Sequence, residues 1–307
     1  MTSDAKAVPC PVCGSPPEAA VLYLEESIDP AKMSGFSYAS RKTPEYMSHR
    51  LVRCTACDLV YVSNPPGQDV LAQAYHQADY DSAEEAADAA DAYVRAMAPI
   101  LKGLKGRSGA LEIGSGTGVL LERLQAQGFT GLVGIEPSAA AIAAAPPRRR
   151  AWLRQGIFRE EDFAPESFDL ICCFMTLEHV RDPLAVARSA RRLLRPGGAF
   201  VTVTHDYQSL VNRLLGSKSP IIDIEHMQIF SDRSIRTLFE RGGFSQISAR
   251  PFRNRYALRY WLRLAPLPAG LKSLAGKVMG ATGLGRLKLA VNVGNTLAAG
   301  FREDALP

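Results

Sequence analysis

The sequence predicts an α/β protein with a doubly wound, mainly parallel sheet and a small N-terminal metal-binding module. From residue 109 onward, short apolar runs alternate with helical segments, a pattern typical of right-handed crossovers between parallel strands. Before that point, four of the six cysteines form two Cys-x-x-Cys pairs. The predicted organisation is a metal-binding module over 1–66, a helical linker or lid over 67–108, a ligand-binding sheet domain over 109–255, and a helical lid with a closing strand over 256–307.

Length and charge limit the classes of function. A chain of 307 residues with 47% hydrophobic residues is long enough to bury a large core beside a smaller module. The net charge of +5 is small for this length, so the composition does not require a nucleic-acid partner. The sequence contains neither a signal-peptide core nor an apolar run of about 18 residues, and we expect a cytoplasmic protein.

The paired cysteines predict a structural zinc site. Each Cys-x-x-Cys pair, "CPVC" and "CTAC", presents two thiolates to one tetrahedral ion, and four thiolates close the site against chemistry. Two disulfides or a redox pair are the alternatives, although neither pair lies in a βαβ pattern. We expect Cys172 and Cys173, in "FDLICCFM", to pack as small apolar side chains. The predicted zinc ligands are Cys10, Cys13, Cys54 and Cys57.

The elements follow in order from a turn-rich link, "VSNPPGQDV", and an alanine-rich helix, "SAEEAADAADAYVRAMAPILKGL". Strands are predicted at 110–113, "GLVGIEP", near "AWLRQG", "FDLICCFM" and "AFVTVTH", with helices between them. The helix "DPLAVARSARRLL" has Asp182 as its N-cap and Pro183 at its first position. Ser231 is the predicted N-cap of a later helix, which leads to a strand from Phe244.

A glycine-rich turn follows the strand at 110–113. Gly114, Gly116 and Gly118 give the spacing G-x-G-x-G, whereas a dinucleotide fingerprint would need glycine at position 119, which is Val119. A phosphate loop is excluded because no Gly-Lys-Ser/Thr follows. The turn therefore predicts a compact ligand without a pyrophosphate, bound at the carboxyl ends of the strands.

Two acidic residues define that ligand further. Glu112 precedes the glycine turn, where it suits an ammonium group, and Glu136 ends the second strand, where a carboxylate can accept both hydroxyls of a ribose. A ligand with an amino-acid end, a ribose and no phosphate is S-adenosylmethionine.

The motifs "LEIGSGTG", "GIEPS", "FDLICCFMTLEHVRDP" and "LLRPGG" together resemble the class I S-adenosylmethionine-dependent methyltransferases over residues 85–250. The resemblance implies a Rossmann-like methyltransferase sheet. "GIFREED" offers Phe158, Glu160, Glu161 and Asp162 near the adenine without a clear match, so that contact stays open. The implied cofactor-binding residues are Glu112, Gly114, Ser115, Gly116, Gly118, Glu136 and Pro137.

A narrower resemblance concerns the acceptor. "CPVCG", "RCTACDLVYVSNPP" and "IEHMQIFS" are similar to zinc-containing methyltransferases that modify sugars and other small metabolites. The longer sugar C-methyltransferases carry a further C-terminal domain and a different Glu-His motif. We therefore expect O-methylation of a hydroxyl of a sugar, glycan precursor or secondary metabolite, with sugar C-methylation as the alternative.

Two other classes of function are less favoured. A nucleic-acid base methyltransferase of this fold would have an Asn/Asp-Pro-Pro-aromatic motif where this chain has "FMTLEH", so no nucleic-acid partner is expected. A non-catalytic binding module would be expected to lose the cofactor residues, which are present here.

Methyl transfer to a hydroxyl needs alignment of the acceptor and a base, and histidine suits that role near neutral pH. The predicted catalytic residues are His226 as the base, Glu225 beside it shaping the acceptor pocket, and His179; His205 also falls on the ligand side of the sheet. The alternative for each is a hydrogen-bonded structural histidine. An alternative use of Glu178 and His179 is to bind a divalent ion, as some quinone-pathway O-methyltransferases do.

The tail contains a basic and aromatic segment. Arg255, Arg259 and Arg263 recur every four residues among tyrosine, tryptophan and leucine, which predicts one helix with a basic stripe beside an aromatic one. We interpret this helix first as a lid over the active site. The second interpretation is a basic amphipathic surface that contacts an anionic lipid headgroup or a nucleotide-linked or lipid-linked acceptor.

Overall fold

The computed structural model describes residues 7–34, 37–38, 46–77, 83–265 and 267–303. The strands are β1 Ala20–Leu24, β2 Leu51–Cys54, β3 Val60–Val62, β4 Gly109–Ile113, β5 Gly131–Glu136, β6 Leu153–Gln155, β7 Phe168–Phe174, β8 Leu194–His205, β9 Gln228–Ile229, β10 Ser245–Pro251, β11 Asn254–Ala257, β12 Lys288–Val291 and β13 Asn295–Phe301. The α-helices are α1 Gln68–Gln77, α2 Ala83–Gly103, α3 Val119–Ala126, α4 Ala139–Ala144, α5 Pro147–Arg150, α6 Pro183–Leu193, α7 Leu210–Leu215, α8 Asp232–Arg241, α9 Leu258–Leu264 and α10 Ala269–Thr282.

The main sheet has the strand order β10-β13-β8-β7-β4-β5-β6. Strands β6, β5, β4, β7 and β8 run parallel, and β13 lies antiparallel between β8 and β10. The first strand of this sheet, β4, lies between β5 and β7, so the winding of the chain reverses there. Such a reversal opens a crevice at the carboxyl ends of the strands. The predicted α/β, doubly wound fold is therefore confirmed.

Local signals in the sequence determine where several helices begin. The Asp182 side chain accepts a hydrogen bond from the backbone N–H of Ala185 at 2.8 Å, and Pro183 is the first residue of α6, as predicted. Ser231 caps α8, where it forms a reciprocal capping box with Ser234. The predicted alanine-rich helix corresponds to α2, and its expected first residue, Ser82, lies outside the described residues.

The N-terminal sheet is completed by a distant part of the chain. Its order is β1-β2-β3-β9, and β9 pairs antiparallel with β3 through Tyr61 and Gln228. The loop after β8 reinforces this junction, because the Tyr207 hydroxyl donates to the Asp58 carbonyl at 3.1 Å and Gln208 donates to the Asp58 carboxylate at 2.5 Å. The shared element is β9, which follows β8 of the main sheet in the chain and completes the sheet that carries the cysteines.

The prediction of a single basic and aromatic helix in the tail is wrong. Arg255 lies on strand β11, opposite Ala290 of β12, and only Arg259 and Arg263 lie on α9. The pairing of β11 with the distant strand β12 overrides the four-residue spacing, because an antiparallel partner satisfies the backbone at 254–257. The expected closing strand is β13, which pairs along its length with β8.

Among the described residues, the structure contains no helix that is both long and apolar enough to span a membrane.

Candidate active site

A cavity of about 680 Å³ lies at the carboxyl ends of β4, β5, β7 and β8. This volume falls within the range of about 300–1,000 Å³ that is usual for small-molecule sites. Most of the residues predicted from the sequence to form the site contribute to its wall. These are Glu112, Gly114, Ser115, Gly116, Glu136, Pro137, His179, His205, Glu225 and His226.

The glycine turn after β4 has a backbone that only glycine adopts easily. Gly114 has a φ of +75°, and a Cβ atom there would lie 2.1 Å from Oγ1 of Thr176. Gly116 has a φ of +52°, but a Cβ there would have no neighbour within 4 Å, because this glycine borders the open cavity. Gly118, with a φ of +70°, is the N-cap of α3. The turn thus offers a bare backbone surface to a ligand.

Glu136 fixes the turn against the end of β5. Its carboxylate accepts hydrogen bonds from the backbone N–H groups of Gly116 at 2.6 Å and Ser138 at 2.8 Å. Burial raises the pKa of the Glu136 carboxyl, and these two backbone N–H groups oppose the rise. Glu112 is also buried and borders the cavity, at the other side of the turn. Two carboxyl groups and the exposed glycine backbone therefore fit a ligand with an ammonium group and a ribose.

Two of the residues considered for the adenine contact, Phe158 and Glu160, have different surroundings in the structure. Phe158 lines the cavity together with Gly156 and Ile157. Glu160 instead forms an ion pair with Arg192, which holds the pKa of its carboxyl well below the usual range, at about 2. Of these four candidates, Phe158 is the one that lines the cavity.

Three histidines meet in the wall of the cavity. The ring centroids of His179 and His226 are 4.9 Å apart, and those of His205 and His226 are 5.7 Å apart. These residues come from the loop after β7, the end of β8 and the segment before β9, so they are distant in sequence. The predicted neighbour of the base, Glu225, places a carboxylate oxygen 3.9 Å from Nδ1 of His179.

Backbone carbonyls orient the imidazole rings. Nδ1 of His226 lies 2.8 Å from the Ile221 carbonyl oxygen, and Nδ1 of His179 lies 3.1 Å from the Glu225 carbonyl oxygen. A carbonyl only accepts, so Nδ1 is the donor in both hydrogen bonds, and whenever the ring is neutral its lone pair lies on Nε2. Burial lowers the pKa of His205 to about 4, so this ring is neutral near pH 7.

Glu178 lies behind the histidines and is fully buried. One of its carboxylate oxygens accepts a hydrogen bond from the His205 backbone N–H at 2.5 Å, and the other has no hydrogen-bond partner among the described residues. Burial raises the pKa of this carboxyl to about 8. A single ligand atom from each of Glu178, His179 and His226 lies within 4.8 Å of the other two, a spacing that could hold a metal ion.

Sequence reasoning missed two residues that organise this end of the site. Tyr75, from α1, donates its hydroxyl hydrogen to the Glu225 carbonyl at 3.1 Å and packs its ring edge-on against His179, with centroids 5.7 Å apart. Gln228 donates from its side chain to the loop that carries Glu178. No pattern in the neighbouring sequence indicates either role, because each side chain donates to backbone carbonyls of a segment that is distant in sequence.

The four paired cysteines form a second cluster away from the cavity. Their sulfur atoms all lie within 4.8 Å of one another, with Cys10 and Cys57 at 3.5 Å and Cys13 and Cys54 at 3.5 Å. Zinc–sulfur bonds of about 2.3 Å in a tetrahedron place the sulfurs about 3.8 Å apart, so the cluster has the dimensions of a zinc site. All four cysteines are free thiols, so the predicted alternative of disulfides is not adopted.

The two cysteine turns have the same backbone geometry. In each, the N–H of the residue four positions after the first cysteine donates to the carbonyl of that cysteine, from Gly14 at 2.9 Å and from Asp58 at 3.0 Å. Both residues have positive φ, +74° and +69°. The repeated turn brings the two pairs face to face.

Comparison with known proteins identifies the family of this chain. Residues 74–249, more than half of the chain, match the family described as methyltransferase domain. The chain therefore belongs to this family and contains the domain of an S-adenosylmethionine-dependent methyltransferase.

Relatives with curated names match part of the chain. A ubiquinone biosynthesis O-methyltransferase of Pseudomonas syringae pv. tomato is 33% identical over 119 residues, which cover 35% of this chain and 50% of the relative. The enzyme of the same name from Vibrio cholerae serotype O1 is 27% identical, over 48% of this chain and 67% of the relative. The chain thus spans about half the length of most of the curated relatives it matches.

Solved structures overlap with more of this chain, at lower identity. A SAM-dependent methyltransferase from Thermotoga maritima is 18% identical, with a TM-score of 0.49, over 72% of this chain and 93% of the other. A phosphoethanolamine N-methyltransferase of Haemonchus contortus in complex with S-adenosyl-L-methionine is 15% identical, with a TM-score of 0.44, over 80% and 62% of the two chains.

Proposed function

We propose that the protein transfers a methyl group from S-adenosylmethionine to a hydroxyl oxygen of a small-molecule acceptor, with His226 as the general base. The observation that carries this proposal is the orientation of His226. Its Nδ1 is bonded to the Ile221 carbonyl, so that Nε2 can accept a proton at the cavity wall. The partial matches to enzymes named O-methyltransferases support the same reaction class.

In this proposal the sulfonium of the bound S-adenosylmethionine supplies an electrophilic methyl group, and the chain supplies alignment and a proton acceptor. Glu112 would hold the ammonium group, Glu136 the ribose hydroxyls, and the glycine turn would pass close to the methionine part. His226 would take the proton of the acceptor hydroxyl as the carbon–oxygen bond forms and the methyl–sulfur bond breaks, with S-adenosylhomocysteine as the leaving group. Glu225 shapes the acceptor pocket, and His179 is the second candidate for the base.

The cofactor part of the proposal is tested by calorimetry with S-adenosylhomocysteine. Glu136→Ala should weaken binding, because it removes the ribose partner and also releases Gly116 and Ser138. Glu160→Ala is the matched control, since that carboxylate pairs with Arg192. Equal affinities for both variants would remove Glu136 from the cofactor site.

The proposed acceptor presents a hydroxyl on a ring system. Aromatic side chains of Tyr75, Tyr256, Tyr260 and Trp261 line the cavity, and such rings pack against the flat faces of sugars and of phenols. A sugar or glycan precursor is the acceptor expected from the sequence, and a phenol is the second candidate, favoured by the apolar character of these walls. Incubation with S-adenosylmethionine and a panel of nucleotide sugars, lipid-linked glycans and catechols, read by mass spectrometry, decides between them. Methylation of none of them would overturn the acceptor class.

A divalent cation is the second candidate role for the histidine cluster. Glu178, His179 and His226 have ligand atoms within 4.8 Å of one another, and a cation would keep the buried Glu178 carboxyl ionised. Mn²⁺ binding followed by electron paramagnetic resonance tests this role, with Glu178→Gln as the variant that loses a ligand. Binding that is unaffected by Glu178→Gln, or absent in the parent, leaves His226 available as a base.

We also propose that the four paired cysteines hold one structural zinc ion. Their sulfur separations match a tetrahedral site, and the two identical turns orient the thiols toward a common centre. Elemental analysis should find one zinc per chain, with loss in Cys13→Ser and retention in Cys172→Ser. Purified parent protein without zinc would refute the assignment.

The C-terminal segment carries an outward apolar face. On α10, Leu271, Leu274 and Val278 follow the spacing of one helix face and are 54%, 60% and 51% exposed. The stripe that a helix of a soluble protein normally buries therefore faces outward. Exposed leucines at 267, 284, 287 and 289 extend the same apolar surface.

The charge of this region is entirely positive. Between Glu240 and Glu303 the sequence has eleven Lys and Arg residues and no Asp or Glu, and Lys277 and Arg286 are exposed beside the apolar face. We propose that this face binds an anionic lipid surface, because cations beside outward leucines complement lipid headgroups and acyl chains. In the same segment, Tyr260 and Trp261 of α9 line the cavity, consistent with the lid interpretation.

Vesicle flotation tests the membrane proposal. The protein should float with vesicles of phosphatidylglycerol and not with vesicles of phosphatidylcholine, and Leu274→Glu should abolish flotation. Leu22→Glu, at an exposed leucine of β1, is the matched control and should float like the parent. Absence of flotation together with a dimeric mass in light scattering would assign the face to a second copy of the chain.

A further inference from the structure

Gln228 lies buried at the junction of the N-terminal sheet and the histidine cluster. Its side chain is 1% exposed, and its backbone belongs to β9, which pairs with Tyr61 of β3. On its other side it faces the loop 177–180, which carries Glu178 and His179. One residue therefore contacts both the cysteine-bearing sheet and the proposed active site.

The side-chain amide holds both ends of that loop. Nε2 of Gln228 donates to the carbonyl oxygens of Leu177 and of Val180, the latter at 2.7 Å. Because both partners are carbonyls, only the NH₂ end of the amide can face them, and both of its hydrogens are used. A buried amide with two such bonds fixes the loop more firmly than one backbone contact would.

The backbone of β9 adds a second connection to the same loop. The N–H of Met227 donates to the Glu178 carbonyl at 2.7 Å, and the Met227 carbonyl accepts from Val62 of β3 at 2.9 Å. His226 is the residue immediately before Met227. The positions of His179 and His226 relative to each other are thus set from one strand, which is itself held by the N-terminal sheet.

We infer that Gln228 is a positioning residue, which sets the geometry of the His179 and His226 imidazoles and couples it to the N-terminal sheet through the β3–β9 pairing. The inference rests on the proposed function in that these rings face the reacting hydroxyl. Without the amide, two buried carbonyls lose their donors and the loop moves to regain partners. A misplacement of about 1 Å at a reacting group can reduce a rate about 10²-fold.

Histidine NMR tests the inference without a known acceptor. In ¹⁵N-histidine-labelled protein saturated with S-adenosylhomocysteine, His179 should show the Nδ1–H tautomer that its bond to the Glu225 carbonyl requires. In Gln228→Met, which keeps the volume but cannot donate, this tautomer should no longer dominate, whereas His76 should be unchanged. Affinity for S-adenosylhomocysteine should change much less, because the side chain of Gln228 bonds to Leu177 and Val180, whereas Glu136 bonds to Gly116 and Ser138.

Gln208→Met is the matched control. Gln208 also joins the main domain to the N-terminal sheet, through the Asp58 carboxylate, but it does not contact residues 177–180. Its replacement should lower the unfolding temperature without changing the His179 tautomer. If Gln228→Met and Gln208→Met both leave the His179 tautomer unchanged, Gln228 is a packing residue and the inference is wrong.

Kinetics separate this inference from the proposed function. On an acceptor that turns over in the panel, Gln228→Met should reduce the single-turnover rate about 10²-fold, with a much smaller change in cofactor affinity. A panel without turnover would overturn the proposed acceptor class, while the tautomer result would still decide the role of Gln228. If Gln228→Met does not fold, Gln228→Glu, which keeps the shape but presents an acceptor to both carbonyls, gives the same tautomer readout.

Discussion

Substitution of Gly114 by alanine should strongly destabilise the protein. The residue has a φ of +75°, which costs a side-chain-bearing residue about 1–2 kcal/mol. The added Cβ would lie 2.1 Å from Oγ1, 2.8 Å from Cγ2 and 3.0 Å from Cβ of Thr176, so the backbone or Thr176 must move. Overpacking of this kind costs about 1–3 kcal/mol, which gives a total loss of about 2–5 kcal/mol in the free energy of unfolding.

Gly116→Ala is the matched comparison within the same turn. Its φ of +52° carries the same backbone cost of about 1–2 kcal/mol, but its Cβ would meet no atom within 4 Å. We expect the smaller destabilisation from Gly116→Ala together with weaker binding of S-adenosylhomocysteine, because the added methyl group would project into the cavity proposed to bind the cofactor.

Urea unfolding and calorimetry measure both effects. Adding Thr176→Ala to Gly114→Ala removes the two nearest clashing atoms, and the pair should therefore be non-additive by about 1 kcal/mol or more. Equal unfolding free energies for Gly114→Ala and Gly116→Ala, with additive behaviour of Thr176→Ala, would refute the contact geometry of the turn.

Three further outcomes follow from the structure. Asp182→Ala should lower the free energy of unfolding by about 1 kcal/mol, measured in urea, because it removes the cap of α6 at the Ala185 N–H. Burial lowers the pKa of His205 to about 4, so on acidification the unfolded chain binds a proton before the folded chain does. The free energy of unfolding should therefore fall by up to about 3 kcal/mol as the pH drops from about 6.5 to 4. His205→Gln should make the free energy of unfolding less dependent on pH in this range. Chelation of the proposed zinc should increase amide hydrogen exchange at Cys54 and Asp58, whose N–H groups are bonded within the cysteine turn, and leave exchange in β7 unchanged.

The sequence predicts elements whose signals are local. Asp182 followed by Pro183 determines the start of α6 because the cap and the ring act on adjacent backbone. The parallel direction of β4 to β8 follows from the alternation of strands with helices. The cysteine spacing identifies the thiol cluster because each pair forms its turn within five residues.

Features that depend on distant pairing were not predictable from the sequence. Arg255 has helical spacing with Arg259, but it lies on β11, which pairs with a strand that begins at residue 288. No pattern in the sequence near Arg255 indicates this pairing. Gln228 pairs with Tyr61 across most of the chain. The ion pair of Glu160 with Arg192 removes an acidic residue from the adenine candidates, and it too joins separate segments.

The role of His226 as the base is the central claim, and single-turnover methylation by His226→Gln tests it most directly. A well-placed base contributes about 10²–10⁴-fold to such a step, so the rate should fall by that factor, equally in His226→Gln and His226→Ala, with unchanged affinity for S-adenosylhomocysteine. Glutamine keeps a polar group of similar size that can replace the hydrogen bond to the Ile221 carbonyl but cannot take up the proton. A His226→Gln rate within a few-fold of the parent, with only His226→Ala impaired, would show that His226 orders the loop and is not the base.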